Sequence, residues 1–241
     1  MAKTIFITDD RCPAARAIAA HLVTEGYEVL ISDCGAEPIS GCTRVKASLC
    51  DQSALELLFE HLSSNLAGVI WTPPPPIHTS IEAASDEQWR LAFEQGALSS
   101  MTLTRVACQH MAQYGRGVMI YLGSIHAEKP MGYGFLHTMN LSATQMLCRE
   151  VAIDYGRKGL SSFYIQRGIM QSDHENDNDI TGQYTGIDIR NPLGRALEPQ
   201  DLCGLITFLL TDAARIINGT DIRADAGATM FYGLQREVNS P

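Results

Sequence analysis

No apolar run in the chain reaches the ~18 to 20 residues that a membrane span needs, so a bilayer crossing is not expected. The opening residues, Met-Ala-Lys-Thr-Ile-Phe-Ile-Thr, lack the charged and then apolar stretches of a secretory leader. Export and anchoring are not expected either. Positive charge is in short supply: 18 lysines and arginines face 27 aspartates and glutamates, for a formal net charge of -9. A nucleic-acid backbone would be repelled on average, so no nucleic-acid partner is expected. Paired metal-ligand spacings are missing as well. The seven cysteines (Cys12, Cys34, Cys42, Cys50, Cys108, Cys148, Cys203) are scattered without a CxxC pair, and no histidine is spaced to complete a zinc site. No metal is expected, and isolated small thiols fit a reducing cytoplasm.

What is present suffices for one core. Apolar residues make up 45% and charged residues 19% of 241 positions, an ordinary globular balance at a length below the ~250 to 300 residues where single cores stop growing. Thr4 to Thr8 is a short β-branched apolar run, and Ala14 to Leu22 then shows helical spacing until Gly26. Tyr27 to Ser32 is a second buried strand closed by Asp33; after a short excursion, Asp51 to Leu62 forms a helix. Gly68 to Trp71 is a strand cut off by Pro73 to Pro76, which supply no backbone N–H and fix an extended path. Ser85 to Tyr114 is mostly helical, with Trp89, Phe93, Met101, Leu103 and Met111 as an apolar stripe. Gly117 to Leu122 is a strand, His137 to Lys158 a long helix stopped by Gly159, and Leu160 to Ile165 a strand. A last helix begins near Pro199 and continues through Leu202 to Leu210, before a final strand at Gly219 to Ala224. Strands alternating with helices imply a parallel sheet covered on both faces, because parallel neighbours need crossovers. The expected organisation is one α/β domain over 1–241, with a flexible loop at about 171–185 that is rich in Asp, Asn and Gly.

The order of these segments resembles the short-chain dehydrogenase/reductase family across essentially the whole chain. The most specific stretch is Asn191-Pro-Leu-Gly-Arg195, Glu198-Pro-Gln-Asp201, Phe208-Leu-Leu-Thr-Asp212, Asn218-Gly-Thr-Asp-Ile222 and Asp225-Ala-Gly, similar to that family's C-terminal signature. Trp89 before the long helix, Gly117 to Ser124, and Gly159 agree with it. The resemblance implies a three-layer, Rossmann-type, doubly wound parallel sheet.

A dinucleotide lies on the first β-α turn of such a fold, because glycines let backbone N–H groups approach the pyrophosphate. The family form, T-G-x-x-x-G-x-G, here keeps Thr8 but places Asp9, Pro13 and Ala15 at the three glycine positions. Pro13 deletes a donor, and Asp9 and Asp10 carry negative charge towards a dianion. Asp33 matches the residue that holds the adenine ribose in NAD-preferring members; Ser48 and Thr72-Pro-Pro-Pro75 replace other pocket features. The expectation is no cofactor, NAD(P) binding being lost or very weak.

Active members use Asn, Ser, Tyr and Lys. Ser124 matches the serine, but His137 stands at the tyrosine, Leu141 at the lysine and Gly96 at the asparagine. A shifted pair, Tyr133 with His137, would break the spacing from Gly159. His126 and Lys129 are expected in solvent. This pattern leads to the expectation of a catalytically inactive subunit that partners an active paralogue of the family in a heterodimer or heterotetramer, with hydroxyacyl-CoA oxidation as the guessed pathway. The alternatives are a nucleotide-free enzyme resembling halohydrin dehalogenases, and an atypical NAD(P)-dependent oxidoreductase; His137, which could in principle do acid–base work, is read as a polar residue lining a vestigial cleft.

Overall fold

The computed structural model describes residues 3–130, 132–170 and 191–230. Seven strands lie in one all-parallel sheet: β1 Thr4–Ile7, β2 Glu28–Ser32, β3 Cys42–Val45, β4 Leu66–Trp71, β5 Gly117–Leu122, β6 Leu160–Arg167 and β7 Thr220–Ala224. Their order is β3-β2-β1-β4-β5-β6-β7. The helices are α1 Pro13–Thr24, α2 Gln52–Leu62, α3 Asp86–Phe93, α4 Ser99–Gln113, α5 Phe135–Tyr155 and α6 Cys203–Leu209.

Side chains alternate strictly across the central strands, as a period of two requires. Ile5, Ile7, Ile70, Ile120, Phe163 and Ile165 face α1 and α6 in one buried layer. Phe6, Val69, Trp71, Met119, Tyr121 and Tyr164 face α2, α4 and α5 in the other. Helix α1 closes its side with Ala14, Ala15, Ile18, Ala19 and Leu22, residues spaced for one face. Ile18 and Leu22 are completely buried, each worth roughly 1.5–3 kcal/mol of transfer free energy. Pro13 opens α1 where its missing N–H costs nothing, and a Ser85–Gln88 capping box opens α3. This is the doubly wound, three-layer α/β architecture.

Three boundaries differ from the sequence reading. The excursion after β2 contains β3, a four-residue strand with no buried residue, which has no apolar alternation by which to recognise it. The helix over 85–114 is interrupted by a π-turn at Glu94–Leu98, where the Ser99 amide reaches back to the Glu94 carbonyl. The expected apolar stripe therefore divides: Leu103 and Met111 are buried, while Trp89, Phe93 and Met101 are exposed. Helix α5 starts at Phe135, so His137 lies inside its first turn. The loop expected at 171–185 lies outside the described residues. Among the described residues no helix is long and apolar enough to cross a membrane.

Candidate active site

The strand order reverses between β1 and β4, and in such sheets the crevice beyond the carboxyl ends of those two strands takes ligands. Thr8 and Thr72 leave β1 and β4 side by side at that point. The Thr72 amide donates to Thr8 Oγ1 (2.9 Å), and the two buried hydroxyls lie 3.1 Å apart. Pro73 to Pro76 then carry the chain away to Thr79, whose amide donates to the Tyr133 carbonyl (2.7 Å) just before α5.

The turn after β1 does not present bare carboxylates to the crevice. Asp9 is buried, and its oxygens accept from the Arg11 amide (2.8 Å), Nε (3.1 Å) and Nη2 (2.9 Å). Asp10 is only 1% exposed; its Oδ1 accepts from the Cys34 amide (2.9 Å) and, more distantly, from the Ala36 amide (3.4 Å). Its Oδ2 lies 3.0 Å from Arg44 Nη2, and the same nitrogen donates to Asp33 Oδ1. Arg16 Nη1 bridges the carbonyls of Asp10 and Glu37. Three carboxylates, Asp9, Asp10 and Asp33, are thus met by two guanidinium groups, those of Arg11 and Arg44. The repulsion expected of Asp9 and Asp10 towards a pyrophosphate is corrected on that ground: both charges turn inward and are neutralised locally. Asp9, Asp10 and Cys34 also bring possible metal-ligating atoms within 4.8 Å of one another, but the guanidinium groups already hold both carboxylates.

Pro13 and Ala15 are the first and third residues of α1, and Ala15 is buried. Burial pushes up the thiol of Cys12, which precedes the helix.

Ser124 follows β5, is buried, and its Oγ accepts from the His126 amide at 3.2 Å. Below it Tyr164 of β6 fills the space above Gly123, where a Cβ would stand 2.0 Å from the Tyr164 ring. The Ser124 amide faces the Tyr164 hydroxyl at 3.4 Å, and burial drives that phenol well above its ordinary pKa, so it stays a neutral group. His137 is half-buried in the first turn of α5. Leu141, one turn on, is wholly buried in the apolar layer and brings no charge. Tyr133 is 63% exposed with φ 45, so the shifted pair is not assembled by burial. His126 Nδ1 lies against the Lys129 carbonyl at 2.9 Å.

Gly96 sits within the π-turn because Asn140 of α5 occupies its side-chain space: a Cβ there would be 2.4 Å from Asn140 Cγ. Asn140 Oδ1 accepts from the Ala97 amide (3.0 Å), and Nδ2 donates to the carbonyls of Ala92 (2.8 Å) and Leu136 (3.0 Å). An asparagine thus returns to this place from the opposite helix, with its amide committed to backbone groups. Arg11, Arg44, Tyr164 and Asn140 were all missed by sequence reasoning. The only sequence signals were the glycines at 96 and 123, whose neighbours a spacing argument cannot supply.

A family profile described as enoyl-(acyl carrier protein) reductase matches residues 14–229. The chain belongs to the short-chain dehydrogenase/reductase family. It is 22% identical over 248 residues to a tropinone reductase homolog of Arabidopsis thaliana, covering 95% of this chain and 92% of that one. It is 24% identical over 257 residues to L-rhamnose 1-dehydrogenase (NAD(P)(+)) of a Sphingomonas species, covering 97% and 98%. The solved structure of ElxO with NADP bound superposes with a TM-score of 0.83 at 15% identity, covering 96% of this chain and 100% of that one; the likeness shows the fold. Two expectations are corrected by these findings. The inactive subunit is overturned because this short-chain dehydrogenase/reductase matches, over nearly its whole length, proteins named as dehydrogenases and reductases or their homologs. The absence of a cofactor is overturned with it: a full-length relative carries NAD(P)(+) in its name, and nothing in the site shows that binding has been lost. The nucleotide-free dehalogenase alternative gains no support.

Proposed function

We propose that the chain is a nicotinamide-nucleotide-linked oxidoreductase that interconverts an alcohol and a carbonyl compound. The observation that carries this reading is the charge balance at the β1-α1 turn, where each acidic replacement is held by an arginine. Arg11, paired with Asp9 and 51% exposed at its side chain, is the cation that meets a dinucleotide at the turn, where Pro13 removes one backbone N–H. A bound nicotinamide supplies or accepts the hydride. Ser124, fixed by its place after β5, donates a hydrogen bond to the substrate oxygen. His137 replaces the tyrosine–lysine pair as the group that gives or takes the substrate hydroxyl proton, work an imidazole performs near neutral pH. The site is therefore rebuilt at its acid–base position.

The test is a fluorescence titration with NADH and NADPH, followed by turnover of a panel of secondary alcohols and ketones. Saturable binding is expected, with His137→Ala lowering kcat by roughly 10²- to 10⁴-fold while binding is retained. Absence of binding at millimolar dinucleotide would overturn the reading.

We further infer that a second chain of the family docks on the outer face of α3, α4 and α5. Trp89, Phe93, Met101, Met146 and Ile153 are exposed on these helices, a groove lined by Leu98, Met101, Leu147 and Tyr155, with Arg105 and Glu150, runs between α4 and α5, and exposed apolar side chains in number mark contact sites. The seven free thiols support a reducing compartment, the cytoplasm.

A further inference from the structure

The segment that follows Ser124 is a closed turn in its own right. The Ala127 amide donates to the Ser124 carbonyl (3.1 Å), and the Glu128 amide donates to the Ile125 carbonyl (3.1 Å). A shift at Glu128 is therefore carried back to Ser124. The far end of this turn is fastened to two other elements. Ser142 Oγ of α5 donates to the Ala127 carbonyl (2.7 Å). Glu128 Oε1 accepts both from Gln145 Nε2 of α5 (2.8 Å) and from Gln166 Nε2 of β6 (2.7 Å). The same Gln145 nitrogen donates to Asp221 Oδ2 of β7 (3.1 Å), which also accepts from Arg149 of α5.

Gln145 and Gln166 are buried, whereas Glu128 is exposed. A long amide under the surface loses hydration that an apolar side chain of the same length never had, and it is tolerated there only with good partners. Both amides converge on one oxygen of Glu128. Gln145 first, and then Gln166, hold that carboxyl below its usual range, with Arg223 and Arg149 adding attraction, so it stays an ionised acceptor at neutral pH. The spacing along α5 gives this clasp its consequence. His137, Leu141 and Gln145 are four apart and lie on one stripe of the helix. Leu141, between the other two, is wholly buried and offers no polar hold. Fastening Gln145 to the Ser124 turn thus fixes the rotation and height of the stripe that carries His137.

We propose that Glu128 is a positioning residue for the reaction: without touching the reactants, it clasps α5 to the Ser124 turn and so sets where His137 stands relative to Ser124. This rests on the functional reading given above, in which those two residues act on one substrate oxygen. A misplacement of about 1 Å can cost on the order of a hundredfold in rate, so a clasp outside the site can govern turnover.

The test compares Glu128→Ala and Glu128→Gln in the full chain, each alone and combined with His137→Ala, with turnover, dinucleotide dissociation constants and urea midpoints measured in parallel. Glu128→Ala should lower kcat by about tenfold to a hundredfold while leaving dinucleotide binding within about threefold. Glu128→Gln, which keeps a carbonyl oxygen for both amides, should restore most of the loss. In the His137→Ala background the same Glu128→Ala change should cost less than about twofold, because the group it places is gone. Exchange of the His126 amide, which donates to Ser124 Oγ, reads the clasp without turnover: it should quicken about tenfold in Glu128→Ala and return in Glu128→Gln. A lower urea midpoint with kcat unchanged, an equal loss of kcat in both backgrounds, or unchanged exchange at His126 would each overturn this inference alone. Absence of dinucleotide binding would overturn the functional reading and this inference together.

Discussion

Asp201 shows how a single residue can tie a segment down by charge and by backbone together. Its carboxylate accepts from Arg195 Nη1 (2.7 Å) and Nη2 (2.8 Å) and from the Glu198 amide (2.8 Å). Arg195 first, and then that amide, hold its pKa down to about 2. A carboxyl whose folded pKa is depressed stabilises the fold fully above its unfolded value, near ~3.9, and loses that contribution as pH falls towards the folded value. Asp201→Asn should therefore lower Tm at pH 7 by a few degrees at most, since the pair is largely exposed, and the difference should vanish between about pH 4 and pH 2. Thermal melts at stepped pH check this; a difference that persists at pH 2 would exclude the ion pair as its cause. The same scale explains what the sequence could not convey at the nucleotide turn. Asp9 and Asp10 are legible as charges, but Arg44 lies 34 positions from Asp10, and only the β1-β2-β3 pairing brings them together.

Elements with a clear period were legible from composition alone. Strands β1, β4 and β5 are continuous apolar runs, and α1 repeats its buried residues at helical intervals. β3 was not, being too short and half-exposed, and neither was the π-turn, whose cause is a side chain on another helix. That cause predicts a coupling. Asn140→Ala removes partners from the Ala97 amide and from the carbonyls of Ala92 and Leu136, a loss of about 1–3 kcal/mol, read as a lower urea midpoint at constant m-value. Gly96→Ala should destabilise the wild type, where its methyl meets Asn140, and should cost much less once Asn140 is alanine. Additive effects in that double-mutant cycle would refute the packing account.

For the molecule as a whole, the layered fold was readable because nearly every strand and helix contributes to one of two alternating apolar layers. The site was readable only as a list of positions, Ser124, His137, Leu141 and Gly96, and what surrounds each depends on contacts distant in sequence. The outer face of α4 and α5 also belongs to this scale. Ile153→Glu, at a position 79% exposed on that face, should dissociate an assembly while sparing the fold, which light scattering after size exclusion would register. A wild type that runs as a monomer would end the docking inference, and co-expression with a family paralogue would tell an identical partner from a different one.

The proline run between Thr72 and Thr79 works as a ruler. Its four pyrrolidine rings remove the slack that a glycine-rich connection would have, and its far end is fastened to the carbonyl of Tyr133 at the entrance to α5. The reach from the end of β4 to the entrance of α5 is therefore bridged by a stiff strut rather than a slack tether. Lengthening this stretch by one residue would carry the Thr79 amide away from the Tyr133 carbonyl and undo that fastening.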